Sequence, residues 1–208
     1  MSLWNKGWFN FLIAPIYGWF YKGQYKRYKK VVTDMQETLD VTDFHTAIDL
    51  GCGTGAMCAV LHDLGLDVTG IDQAKSMIKV AKKKTKNRDI TFLEHDLLEG
   101  IPFNDKRFDI AITSYVAHGL TIEERKKLYQ EMCRLATKWV IIHDYNDERA
   151  FYTSTVEWFE GGNYFTFIKD PKLEIEQHIQ ELETCFEEVQ VVQVDIRANW
   201  YICKPKSL

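Results

Sequence analysis

The chain of 208 residues is 46% hydrophobic and 27% charged, with a net charge of −4. These are the proportions of one soluble globular domain with a sizeable core, too short for two, and a net acidic molecule has no global attraction to nucleic acid. The five cysteines, Cys52, Cys58, Cys133, Cys185 and Cys203, are odd in number and never at C-x-x-C spacing, which argues against a disulfide framework or a zinc site and fits a reducing, cytoplasmic setting.

The charge is uneven: residues 1–30 hold six Lys or Arg and no acid, whereas Asp147 to Glu188 is strongly acidic. Trp8 to Phe20 is apolar and aromatic, interrupted by Asn10, Pro15 and Gly18. It is too short to span a bilayer and lacks the cleavage site of a secretory signal. Gln24–Leu39 reads as a helix, with Tyr25, Tyr28, Val31, Val32, Met35 and Leu39 at helical spacing. Thr46–Leu50 is a buried strand that ends in a glycine-rich turn. A helix then covers Thr54–Leu64, closed by Gly65. Val68–Ile71 is the second strand, ending at Asp72, and Ala74–Lys84 a Lys-rich helix. Ile90–Leu93 and Phe108–Thr113 are the third and fourth strands. Thr121 caps a helix over Ile122–Ala136, and Trp139–Ile142 is the fifth strand. Pro171 opens a further helix. Phe186–Val194 and Ala198–Cys203 then pair as an antiparallel hairpin at the sheet edge. The alternation from residue 46 onward predicts an α/β fold: a doubly wound, mostly parallel seven-stranded sheet with an antiparallel C-terminal hairpin and N-terminal helices.

The turn after the first strand reads Asp49-Leu50-Gly51-Cys52-Gly53-Thr54-Gly55. Glycines there permit a tight turn and close approach of a ligand to the backbone, and the N–H groups at the following helix start bind polar or anionic groups. Taken alone the turn is ambiguous. Gly51, Gly53 and Ala56 also satisfy the dinucleotide pattern G-x-G-x-x-G/A, and Asp72 stands where that pattern wants a ribose-binding acid.

Residues at the ends of later strands narrow the choice. The run Asp49 to Gly55 closely resembles the first motif of class I S-adenosylmethionine-dependent methyltransferases, and Asp49 before the glycines favours that family. Gly70-Ile71-Asp72 is similar to its second motif, in which the acid accepts from both ribose hydroxyls; a carboxylate suits a vicinal diol because each oxygen can accept. Glu94-His95-Asp96-Leu97 resembles the third motif. By that resemblance Asp96 accepts from the adenine amino group and Leu97 offers its backbone N–H and apolar cover. Phe108-Asp109-Ile110 matches the family's fourth strand, with Asp109 structural. The resemblance covers about residues 46–144. It implies S-adenosyl-L-methionine as cofactor, S-adenosyl-L-homocysteine as product, and cofactor contacts from Asp49, Gly51, Cys52, Gly53, Gly55, Asp72, Gln73, Met77, Asp96, Leu97 and Ser114.

The segment Thr113 to Leu120 follows the fourth strand and in relatives passes beside the transferred methyl. Tyr115 and His118 there, with His143 at the end of the fifth strand, are the candidate catalytic residues. A hydroxyl acceptor needs a base, most often histidine; an amine that arrives neutral needs little. His143 and Asp144 are adjacent, so on a strand they face opposite sides. No metal set is present in the sequence.

Residues 1–208 are expected to form one methyltransferase domain: an N-terminal helical cap over 1–40, the cofactor core over 46–144, and a variable substrate-side insertion over 145–183. The N-terminal segment holds the aromatics Trp4, Trp8, Phe9, Phe11, Tyr17, Trp19, Phe20, Tyr21, Tyr25 and Tyr28, with Lys22, Lys26, Arg27, Lys29 and Lys30 among them. Three readings compete for them: a lid over the acceptor, plain packing, or contact with a membrane surface or lipid-like acceptor. Phe151 to Phe167 is a second aromatic patch. The expected partner is a small-molecule methyl acceptor. No Asn-Pro-Pro-(aromatic) motif follows the fourth strand, where Ser114-Tyr115-Val116-Ala117 stand instead, so a nucleic-acid substrate is not expected. A non-catalytic protein of the same fold, or an NAD(P)-dependent oxidoreductase, are the alternative functions.

Overall fold

The computed structural model describes residues 7–146 and 171–206, and side chains within 19–146 and 176–206. Among the described residues five α-helices and seven strands follow one another as α1 (Gly7–Asp34), β1 (Thr46–Leu50), α2 (Ala56–Asp63), β2 (Asp67–Asp72), α3 (Lys75–Lys84), β3 (Ile90–Glu94), β4 (Phe108–Ser114), α4 (Ile122–Leu135), β5 (Ala136–Tyr145), α5 (Pro171–Cys185), β6 (Phe186–Asp195) and β7 (Ala198–Pro205). The strands form one sheet in the order β3-β2-β1-β4-β5-β7-β6. β1 to β5 are parallel, and β7 enters antiparallel between β5 and β6.

The central strands are apolar on both faces because both faces are covered. Ala47, Ile110, Ile112, Ile141, Trp200 and Ile202 point toward α1 and α2 and pack with Val31, Met35 and Val60. Their neighbours Ile48, Leu50, Ala111, Val140, Ile142 and Tyr201 point to the other side and pack with Leu128, Tyr129 and Met132 of α4. The period of two along each strand thus builds two cores from one sheet.

Element boundaries depart from the sequence expectation by more than two residues in two places. The N-terminal helix runs from Gly7 to Asp34, so Asn10, Pro15 and Gly18 do not end it, and it stops before Leu39. β5 extends over ten residues, not four, because β7 supplies an antiparallel partner from Val140 to Tyr145. Elsewhere local chemistry is as read. Thr121 caps α4 in a reciprocal box, its hydroxyl accepting from the Glu124 N–H while the Glu124 carboxylate accepts from the Thr121 N–H. The Phe151 to Phe167 patch and the side chains of Trp4, Trp8, Phe9, Phe11 and Tyr17 lie outside the described residues.

Strand register aligns the carboxyl ends along one edge: Leu50 beside Ile71 and Thr113, Asp72 beside Glu94, Ser114 beside His143. The chain order reverses between β1 and β4, and a crevice at such a reversal is where open α/β sheets bind ligands.

Candidate active site

The glycine turn leaves β1 at this reversal. Gly51, Gly53 and Gly55 all have positive φ (78°, 51° and 75°), which L-residues with a side chain adopt at a cost. Space excludes side chains as well. A Cβ on Gly51 would lie 2.4 Å from Val116 Cγ2, and one on Gly55 would lie 3.0 Å from Ala81 Cβ and 3.1 Å from Phe92 Cζ. The backbone is held from β2: the N–H groups of Gly51 and Cys52 donate to the Ile71 carbonyl at 2.8 and 2.9 Å. The Gly53 N–H donates to Asp72 Oδ2 at 2.9 Å.

Asp72 is buried at the end of β2. Its other oxygen accepts from the Ala74 N–H at 2.8 Å, so the carboxylate joins the glycine turn to the start of α3. Burial pushes its carboxyl above the usual range, opposed by the Ala74 and Gly53 hydrogen bonds. Each carboxylate oxygen has a second lone pair, leaving capacity for a ligand hydroxyl.

Asp49 lies under the turn, fully buried. Its Oδ2 accepts from the Cys58 thiol at 3.2 Å, while Oδ1 has no hydrogen-bond partner among the described residues. Burial lifts its carboxyl to about 7, with the Cys58 bond opposing and the Asp72 charge adding. Asp96 and Leu97 follow β3, both half-buried. Asp96 Oδ1 accepts from the Leu98 N–H at 2.9 Å, and Leu97 Cδ1 approaches the space above Gly51 to 3.7 Å. Met77 Cε stands 3.7 Å from the corresponding space on Gly53, and Gln73 is exposed beside Asp72.

Across the reversal, β4 ends in Ser114 and the chain turns at Tyr115, whose φ of 57° is a strained value for an aromatic residue. Two histidines sit here on opposite faces of the sheet. On one face, Trp200 Nε1–H donates to His143 Nδ1 at 2.8 Å. That leaves the His143 ring proton on Nε2, which donates to Tyr115 Oη at 3.0 Å. Burial lowers the His143 imidazole to about 4, against the pull of Asp144, and burial raises the Tyr115 phenol to about 12. Both groups are therefore neutral near neutral pH.

On the other face, Asp144 is buried and His118 is partly exposed. His118 Nδ1 lies 2.8 Å from Asp144 Oδ1, and the His118 backbone N–H donates to Oδ2 at 3.1 Å. The Tyr145 N–H adds a third bond, to Oδ1 at 2.8 Å. Burial alone would raise the Asp144 carboxyl, but the charge and hydrogen bond of His118 together with the Tyr145 N–H outweigh it and hold it at about 2. An ionised carboxylate takes the Nδ1 proton of the ring, which makes Nε2 the basic nitrogen. The Tyr145 ring packs edge-on against His118, centroids 4.8 Å apart.

The inserted antiparallel β7 distinguishes this sheet from the all-parallel 3-2-1-4-5-6 order of dinucleotide-binding folds. Residues 48–139 match the methyltransferase domain family. The chain is 25% identical over 176 residues to an uncharacterized methyltransferase of Staphylococcus carnosus, covering 82% of this chain and 83% of that one. It is 34% identical over 113 residues to the demethylmenaquinone methyltransferase of Paenarthrobacter aurescens, a match spanning 54% of this chain and 42% of that one. A SAM dependent methyltransferase from Aquifex aeolicus has the same fold at a TM-score of 0.62, with 21% identity over 83% of this chain and 90% of that one.

These likenesses support a class I S-adenosylmethionine-dependent methyltransferase.

The residues of the methyltransferase fit its cofactor. Gly53 faces open space, where a Cβ would meet only Met77 Cε at 3.7 Å and the Gly51 carbonyl at 4.0 Å, and the orphaned Oδ1 of Asp49 is a buried acceptor without a donor among the described residues, costly unless a ligand group supplies one. The fold gathers Asp49, the glycines, Asp72, Asp96, Leu97 and Ser114 at one sheet edge, and brings His118, Tyr115 and His143 to its neighbouring strand ends. It gives the two histidines different partners, His118 bonding to Asp144 and His143 to Trp200 and Tyr115. Two partners escaped the sequence reading. Asp144 was placed only as the neighbour of His143, although an acid closing an apolar strand is a recognisable signal of a paired buried charge. Trp200, fifty-seven residues from His143, leaves no local signal.

Proposed function

We propose that the methyltransferase methylates a hydroxyl of a small molecule, with His118 as general base and Asp144 as the residue that positions it. The observation that carries this reading is the His118–Asp144 pair at the ends of β4 and β5. A buried carboxylate that fixes one ring nitrogen leaves the other to accept a proton, the arrangement a base requires. An amine acceptor that arrives neutral would give such a pair little to do.

When bound, S-adenosylmethionine supplies a methyl group already activated by its sulfonium. The chain's own residues do the rest. Gly51, Cys52, Gly53 and Gly55 hold the cofactor along their backbone, Asp72 accepts from its ribose hydroxyls, and Asp96 and Leu97 receive the adenine, with Gln73 and Met77 at its margin. Asp49 takes the ammonium of the methionine part through Oδ1. Ser114 and Tyr115 border the reacting end, and the neutral His143 supports Tyr115. His118 Nε2 takes the acceptor's proton as the new bond forms. Tyr145 and Tyr115, whose rings lie 4.8 Å apart, offer flat apolar walls that suit an aromatic ring bearing the hydroxyl and help exclude water.

The test is a panel of phenols and matched anilines assayed with S-adenosylmethionine, using the wild type, His118→Gln and Asp144→Asn. We expect phenols to turn over, and both variants to lose about 10²- to 10⁴-fold in kcat. Affinity for S-adenosylhomocysteine should stay unchanged, while Asp72→Ala and Asp96→Ala weaken it. Preference for anilines, or full activity of His118→Gln on phenols, overturns the reading.

A further inference from the structure

We propose that the outer face of α1 docks on an anionic lipid bilayer. The helix has two unlike sides. Its inner side belongs to the domain: Tyr28, Val31, Val32 and Met35 are buried in the core, and Gln24 Oε1 accepts from the Thr54 hydroxyl of the glycine turn at 2.7 Å. Its outer side is exposed and holds Trp19 (89% exposed) and Phe20 (61%), followed by Lys22, Lys26 and Lys29. Among the described residues none of these three lysines is ion-paired to an acid, whereas Arg27 pairs with Asp195 and Lys30 with Asp34.

The order of residues along α1 identifies the partner. Gly7 to Tyr21 carries no charged side chain and seven aromatic ones, and the chain's first acid is Asp34. At 1.5 Å per residue that uncharged run is roughly 22 Å long, less than the ~30 Å of a hydrocarbon core. It agrees that no described helix is long and apolar enough to cross a membrane. A helix too short to span, with exposed Trp and Phe beside unpaired lysines, lies in the headgroup layer: the rings enter the acyl boundary and the ammonium groups meet lipid phosphates. A polynucleotide would satisfy the lysines, but its binding surfaces interleave charge with aromatic stacking, whereas on this outer side the exposed rings of Trp19 and Phe20 come first and the lysines after them, Tyr25 and Tyr28 being turned to the core. The inference rests on α1 alone and stands whether or not His118 is the base.

The full-length protein would be sedimented with phosphatidylcholine vesicles and with vesicles containing phosphatidylglycerol, at low and high salt. We expect binding to the phosphatidylglycerol vesicles only, weakened by salt. The triple variant Lys22→Glu, Lys26→Glu, Lys29→Glu should bind roughly a hundredfold more weakly, and Trp19→Ala with Phe20→Ala should bind at least about tenfold more weakly. Unchanged affinity for S-adenosylhomocysteine in each variant certifies the fold. No vesicle binding, equal binding to both vesicle types, or binding of a single-stranded RNA in place of vesicles overturns the proposal.

Discussion

At Gly51 two independent constraints meet on one atom. The backbone has φ of 78°, and the space where a Cβ would go is taken by Val116. Gly51→Ala is therefore expected to destabilise the protein by about 1–3 kcal/mol and to lower S-adenosylhomocysteine affinity, as seen by urea unfolding and calorimetry. Gly23 is the contrast: it lies within α1 with nothing within 4 Å of a built Cβ. Gly23→Ala should stabilise by about 0.5–1 kcal/mol. An equal response of the two glycines would sink the argument. The turn itself was legible from its spacing, because glycine marks backbone demands that no other residue meets. The identity of the group filling the space, Val116, was not legible, since sixty-five residues and a strand crossover separate it from the turn.

Among the elements, α4 was read most completely and β5 least. α4 carries its start signal in its own sequence, as the Thr121–Glu124 box shows. Thr121→Ala should cost about 1 kcal/mol in thermal or denaturant unfolding and leave the kinetics of methyl transfer unchanged. A cost near zero would mean that the bidentate Arg125–Glu181 pair, which ties α4 to α5 at 2.8 Å on both bonds, holds the helix without its cap. β5 was underestimated because its second half depends on pairing with β7, a partner more than fifty residues onward. α1 was underestimated because aromatic residues broken by Asn10, Pro15 and Gly18 carry no clean helical period.

The stability of the whole molecule against acid follows from its buried titrating groups. Burial lowers His143 and His178 to about 4, against about 6.5 in an unfolded chain. Between those values the unfolded state binds more protons, so both contributions are lost as pH falls from 6.5 to 4. Asp49, raised to about 7, acts oppositely: over that range the folded state holds its proton, and its contribution grows as pH falls. Two groups against one leave a net loss of roughly 1.4 kcal/mol per pH unit, reduced toward the acid end by Asp72, whose carboxyl is also raised by burial. Urea unfolding at a series of pH values measures this slope. Asp49→Asn removes the opposing group and should roughly double it, and a slope that does not change would show that Asp49 is ionised in the folded protein.

The sequence alone determined the fold class, the glycine turn and the acids at or just after the ends of β2 and β3, because each rests on a local rule: the period of a strand, the backbone freedom of glycine, a carboxylate at a strand end. The cofactor came from the resemblance of these runs to a methyltransferase family, since the turn by itself also fits a dinucleotide. Only the tertiary structure decided which histidine faces which partner. His143 and Asp144 are one residue apart, yet the alternation of a strand sends the first to Trp200 and Tyr115 and the second to His118. Those partners come from β7 and the loop after β4. The pairing is set by strand order and register, which depend on how buried faces pack over the whole sheet and not on any short stretch of chain.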